Sequence, residues 1–318
     1  MQHLISAKDL NREQVTALML SSQCLSNYQF SLRVAGKILA TLFYEPSTRT
    51  RLSFESAMIR SGGHVISVEN GNESSSKTKG ETLEDTIRTV AEYADIIVLR
   101  HPEVGSAKRA ADVSKVPVIN AGDGAGEHPT QALLDLYTIW KKHKLEGCKV
   151  LLAGDLENGR TVHSLYHLLK LFNADVTMCP SYGLTCDDSD AKFVMPDEVH
   201  RILPEMQVVY MTRIQKERLK PKEGWIKSNN LGIQCFKTPE ESGTFKITSD
   251  TIKLLREDCL IMHPLPRNDE IDVAVDHDPR CVFFDQVANG LRMRRVLLGE
   301  LLYARQEINQ EDRPIPLA

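Results

Sequence analysis

The stretch "FYEPSTRTRLSFESA" (residues 43–57) closes an apolar run, breaks it with Pro46, sets Ser47, Thr48, Arg49 and Thr50 in a row, and then takes up helical spacing. A strand that runs straight into a helix belongs to an open parallel sheet. Such sheets bind ligands beyond the carboxyl ends of their strands. A helix beginning there presents unpaired backbone N–H groups and the positive end of its dipole. Three hydroxyls and a guanidinium fork added at that spot suit a phosphate. A capped helix with solvated arginines accounts equally for these residues taken alone.

Working outward, short apolar runs rich in β-branched residues alternate with helical segments, which predicts an α/β protein with parallel sheets flanked by helices. In the first half the expected strands are 37–44, 64–68, 94–100 and 116–122, with helices over 49–61, 81–93 and 103–113. In the second half they are 148–156, 174–180, 206–213, 259–265 and 281–287. Between the two series lies "HPTQALLDLYTIWKKHK" (128–144), an amphipathic helix that ends in lysines ahead of Gly147. It is the expected connector between two domains, residues 1–144 and 145–285. The segment 286–318 is expected to contribute a helix that packs back on the first domain. Two polar stretches, 69–81 and 215–230, read as long loops of functional type.

At 318 residues the chain exceeds what one core usually serves, which agrees with two domains. With 39 Lys and Arg against 43 Asp and Glu, the net charge is −4. No global field therefore favours nucleic acid or an anionic membrane, and anion binding has to be local. The seven cysteines are odd in number and form no C-x-x-C pair, which argues against a disulfide framework or a zinc ribbon and for a reduced, cytoplasmic setting. No apolar run reaches the roughly 18 residues of a membrane span, and the opening "MQHLISAKDL" lacks the order of a signal peptide. No G-x-x-x-x-G-K-[ST] loop occurs. "GDGAGE" (122–127) and "AGDLENGRT" (153–161) lack the glycine order of a dinucleotide site.

Polar clusters recur at the expected strand ends: Arg100 with His101, His128 with Gln131, Arg160, Arg213 with Gln215, and His263 to Arg267. Each alone fits a structural role, Arg100 as a solvated strand end and His128 as a helix cap. Their shared position predicts that Arg49, Arg100, Arg160, Arg213 and Arg267 collect in an interdomain crevice. Such a cluster repels itself unless a polyanionic ligand offsets it.

"FYEPSTRTR", "HPTQALLDLYTI", "GDLENGRTVHSL", "YMTRIQKER" and "HPLPR" resemble, in order, blocks of the aspartate/ornithine carbamoyltransferase family, over about Leu4 to Tyr303. Pro264, where the ornithine branch carries cysteine, and the pair Arg213-x-Gln215 resemble the aspartate branch. Within it the chain is most similar to the domain of the animal multifunctional pyrimidine-synthesis polypeptide. The resemblance implies carbamoyl phosphate and L-aspartate as substrates and no cofactor or metal. Ser47, Thr48, Arg49 and Thr50 would hold the phosphate, joined by Arg100. Arg100, His128 and Thr50 would polarise the carbamoyl oxygen. Gln131, with the backbone carbonyls of Leu265 and Pro266, would orient the carbamoyl nitrogen. Arg160, Arg213 and Gln215 would grip the aspartate carboxylates, with Arg267 beside them. It also implies a homotrimer whose sites are completed by a neighbouring subunit's Lys79 and a serine, read as Ser75 among Ser74 to Ser76. Fusion to, or association with, carbamoyl phosphate synthetase and dihydroorotase is a further implication.

Overall fold

The computed structural model describes residues 1–25, 34–69, 80–181, 191–215, 218 and 244–311, with side chains as far as 304. It divides into two compact units, 1–137 with 288–318, and 138–287.

In the first unit the order is α1 (Arg12–Gln23), β1 (Ile38–Phe43), α2 (Thr48–Arg60), β2 (His64–Glu69), α3 (Leu83–Val90), β3 (Ile96–His101), α4 (Ser106–Val113) and β4 (Val118–Asp123). The four strands form one parallel sheet in the order β2-β1-β3-β4. The chain thus leaves β1 on one side of the sheet and resumes on its other side at β3, which makes the β1/β3 boundary a topological switch point. Ala40, Leu42, Ile97, Leu99 and Val118 from the sheet pack with Ile87 and Ala110 from the covering helices. The expected strands are all present. Helix α3 starts two residues later than its pattern suggests because Thr82 caps it, its side chain accepting from the Asp85 N–H, and it ends at Val90.

Helix α5 (Pro129–Trp140) carries the chain into the second unit, with proline at the helix start, where its missing N–H has no cost. It ends before the lysines, which lie in the following turn. The second unit holds β5 (Lys149–Gly154), α6 (Arg160–Leu171), β6 (Asp175–Pro180), β7 (Lys192–Phe193), β8 (Val208–Met211) and β9 (Leu260–Met262), and α7 (Phe283–Glu311) begins in it. Its parallel sheet has the order β7-β6-β5-β8-β9, with the switch point between β5 and β8. Leu151, Ala153, Val209, Met211 and Ile261 form its core with Phe245 and Phe283.

The expectation of a strand over 281–287 is overturned. Cys281 makes one isolated bridge to Ile261, and helix α7 starts two residues later. A short apolar run suits strand and buried helix alike. Here Phe283 is buried in the core while Phe284 points outward, as the first turn of a helix allows. The two-residue edge strand β7 was not foreseen. Among the described residues, no helix is long and apolar enough to cross a membrane.

Candidate active site

In the first unit, strand register draws the polar residues together. Phe43 is the register partner of Arg100, and the Tyr44 N–H donates to the Arg100 carbonyl at 2.8 Å, so the Ser47–Thr50 turn starts beside Arg100. Ser47 is the N-cap of α2 in extended conformation, and its side chain makes no capping bond. The first-turn N–H groups are therefore not answered by that hydroxyl, which suits an external anion. Thr48 and Arg49 are exposed in the first turn and Thr50 is buried. The second arginine of the motif serves the scaffold instead. Arg51 pairs with Glu55 at 3.5 Å and Glu69 at 2.9 Å, tying α2 to the edge strand β2. Arg100 is half-buried, its Nε 3.3 Å from Glu45 Oε2.

The next loops close on the same edge. His101 is the register partner of Asp123, its carbonyl accepts from the Gly124 N–H at 2.9 Å, and its ring lies 4.9 Å from that of Tyr44. Asp123, buried at the end of β4, accepts from the Gly105 N–H at 2.9 Å, the Glu127 N–H at 2.9 Å and the Asn120 amide at 3.1 Å. It fastens the loop that delivers His128 to the start of α5. His128 and Gln131 are buried, and Gln131 Nε2 donates to Asp135 Oδ1 at 3.0 Å.

The second unit has its own set. Gly154 ends β5 with φ +116°, and a Cβ there would lie 2.1 Å from the Thr212 carbonyl oxygen, so only glycine lets β5 and the end of β8 approach this closely. Asp155 follows, fully buried. It accepts from the Asn158 N–H at 2.9 Å and the Gln215 N–H at 3.1 Å, while Gln215 Nε2 donates to the Asn158 carbonyl at 2.7 Å. One carboxylate thus joins the loop leading to Arg160, buried at the first position of α6, to the segment carrying Arg213 and Gln215. After β9, His263 Nδ1 accepts from the Leu265 N–H at 2.8 Å and His263 Nε2 meets Glu270 Oε1 at 2.7 Å. Leu265 has φ +56° and precedes a cis bond to Pro266, which is exposed. Both Arg267 Nη groups donate to the Asp276 carboxylate, and the guanidinium lies 4.7 Å from the Phe283 ring centroid. The positive charge of Arg267 is therefore already offset inside its unit.

Each expected residue among those described sits at the carboxyl edge of its own sheet: Ser47, Thr48, Arg49, Thr50, Arg100, His128 and Gln131 in one unit, Arg160, Arg213, Gln215, Leu265, Pro266 and Arg267 in the other. Ser75 and Lys79 lie outside the described residues. Asp123, Asp135, Asp155 and His263 are positioning groups whose part the sequence did not reveal. Burial pushes the Cys148 thiol up to about 11 and those of Cys179 and Cys259 up to about 12, which makes these three poor nucleophiles.

Two family descriptions fit this division. The carbamoyl-phosphate-binding domain of aspartate/ornithine carbamoyltransferases matches residues 2–141, and their aspartate/ornithine-binding domain matches 146–301. The chain belongs to the aspartate/ornithine carbamoyltransferase family. Among family members, it is 45% identical over 314 residues to aspartate carbamoyltransferase 1, chloroplastic, of Pisum sativum, covering 94% of this chain and 78% of that one. It is 45% identical over 316 residues to the aspartate carbamoyltransferase catalytic subunit of Methanopyrus kandleri, covering 94% and 96%. Solved family structures agree. The catalytic subunit of M. jannaschii aspartate transcarbamoylase superposes with a TM-score of 0.82 at 41% identity, covering 96% of this chain and 99% of that one. The Trypanosoma cruzi aspartate transcarbamoylase in complex with carbamoyl phosphate and aspartate gives 0.81 at 33% identity, covering 94% and 96%.

Proposed function

We propose that the chain transfers the carbamoyl group of carbamoyl phosphate to the amine of L-aspartate, giving N-carbamoyl-L-aspartate and phosphate, an early step of pyrimidine synthesis. The observation that carries this reading is the placing of every described motif residue at the carboxyl edge of a sheet, in a chain whose relatives are aspartate carbamoyltransferases. The phosphate would rest on the α2 N-terminus with Ser47, Thr48, Arg49 and Thr50, and Arg100 would reach it from the neighbouring strand. Arg160, Arg213 and Gln215 would take the two aspartate carboxylates, which planar forks of donors match in geometry. Arg267, paired with Asp276, would act on the shape of the 263–267 turn rather than as a mobile charge.

In the reaction the aspartate amine attacks the carbamoyl carbon. Negative charge builds on the carbonyl oxygen, where Thr50, Arg100 and His128 would supply donors already in place. The C–O bond to phosphate then breaks, phosphate leaves with the electron pair, and the amine proton passes to it. His128 serves as an oxyanion donor, so the step has no protein base.

We further propose a homotrimer with shared sites, acting in the cytosol. The exposed apolar residues Leu52 and Ile59 of α2 and Ile66 and Val68 of the edge strand β2 support burial of this face against a second copy. Mixing Lys79→Ala with Arg49→Ala protein is expected to restore activity in hybrids, since some of their sites carry neither defect. No recovery after verified subunit exchange would refute the sharing. Association with carbamoyl phosphate synthetase and dihydroorotase rests on the resemblance alone. The deciding assay is phosphate release from carbamoyl phosphate. Release with L-aspartate and none with ornithine is the expected result, and release with ornithine, or with neither, overturns the reading.

A further inference from the structure

Gln131 and Asp135 stand one turn apart on α5, with Gln131 Nε2 donating to Asp135 Oδ1 at 3.0 Å. Asp135 is fully buried. An ionised carboxylate only accepts, so it tolerates the amide NH2 of Gln131 and repels its oxygen. The Gln131 Oε1 is therefore turned away from Asp135, fixed as an acceptor. Arg294 of α7 is buried in the same unit, donates from Nη1 to Ser53 Oγ at 2.8 Å, and stacks 5.1 Å from the Phe54 ring centroid. Burial lowers its pKa to about 10 while the charge of Asp135 pulls it back up, so Arg294 stays a cation at neutral pH. A protonated carboxyl at 135 could donate to Oε1, letting the amide reverse.

We infer that Asp135, through its hydrogen bond to Gln131, is a positioning residue that points the Gln131 oxygen at the carbamoyl nitrogen and so selects a phosphate donor whose acyl group bears N–H. This rests on the reaction proposed above. It separates carbamoyl phosphate from acetyl phosphate, which has nearly the same shape but carries a methyl group where the other has NH2. An acceptor facing the methyl group is left unpaired, whereas facing NH2 it is satisfied. Asparagine at 135 both donates and accepts, so it would hold Gln131 in either orientation. In the reversed one, NH2 of Gln131 opposes NH2 of the substrate.

The experiment measures kcat/KM for carbamoyl phosphate and for acetyl phosphate, with L-aspartate as acceptor, in the full chain and in Asp135→Asn, Gln131→Ala and the double variant. Both donors are assayed on one preparation, so the folded fraction cancels from their ratio and a purely structural defect leaves it unmoved. The preference is expected to fall about tenfold in each single variant, the value of one hydrogen bond, with no further fall in the double variant. Should Asp135→Asn leave Arg294 uncompensated and the chain unfolded, Asp135→Asn with Arg294→Gln removes both charges and is expected to give the same loss. Carbamoyl transfer with an unchanged ratio, or an equal fall from Asp135→Asn when Gln131 is already alanine, overturns the inference alone. No carbamoyl transfer by the unmodified chain overturns the reaction and the inference with it.

Discussion

Two buried aspartates, Asp123 in the first unit and Asp155 in the second, hold the loops of their half-sites, and they differ in where their donors come from. Asp123 gathers N–H groups from Gly105, which precedes α4, and from its own following turn. Asp155 also takes an N–H from its own following turn, that of Asn158, but its second donor is Gln215, 60 residues away in the chain where Gly105 is 18 from Asp123. The first half-site is thus built from groups fixed as soon as their own strands pair. The second is assembled from segments that only the sheet brings together. A rigid tetrahedral phosphate suits the first arrangement, and a longer substrate with two carboxylates suits the second.

The sharpest test of this contrast removes a ligand group. Arg49→Ala takes a guanidinium from the phosphate side and is expected to lower kcat by roughly a thousandfold, as loss of a transition-state donor does. A fall confined to the aspartate KM would contradict its place. Next come the two aspartates. Asp155→Ala should raise the aspartate KM by about a hundredfold and leave the carbamoyl phosphate KM nearly unchanged, because it frees Gln215 and the loop before Arg160. Asp123→Ala should instead depress kcat through His128. Equal effects on both substrates from both variants would erase the distinction.

Gly154→Ala probes the seam on which the second half-site rests. With a carbonyl oxygen 2.1 Å from the new Cβ and φ at +116°, it should cost about 3 kcal/mol, read as a lower midpoint in urea, whereas an unchanged midpoint would deny the close approach. The smallest effect is expected from Asp276→Asn. The Arg267 hydrogen bonds hold the Asp276 carboxyl below its ordinary range. On acidification the unfolded chain therefore takes up that proton before the folded one. The stabilisation is complete at neutral pH and is lost as the pH falls below about 4. Thermal melts of the unmodified chain should show this loss and Asp276→Asn should lack it, a difference of at most about 1 kcal/mol for a pair open to water on one side.

The sequence made the sheets legible because buried parallel strands read as β-branched runs, and the proposed arginine, histidine and glutamine ligands among the described residues stood out as polar residues just beyond such runs. Four kinds of feature were not legible. Phe283 and its neighbours suit helix and strand alike. Two residues are too few for β7 to leave a pattern. Asp123, Asp135 and Asp155 are ordinary carboxylates until the fold decides which N–H groups surround them. His263 sits in a recognised block, yet only the turn that follows β9 shows that its Nδ1 carries the Leu265 N–H.

Helix α7 adds a constraint on how the molecule is made. Its Arg294 and Arg295 reach Ser53 and Ser61 of the first unit, and Met293 meets Ser22. During synthesis, residues 1–137 leave the ribosome with no cover for that face, and all of 138–287 emerges before the missing piece arrives. The portion begun first is therefore finished last, and a nascent chain stalled short of Met293 should present an incomplete first unit to chaperones and proteases.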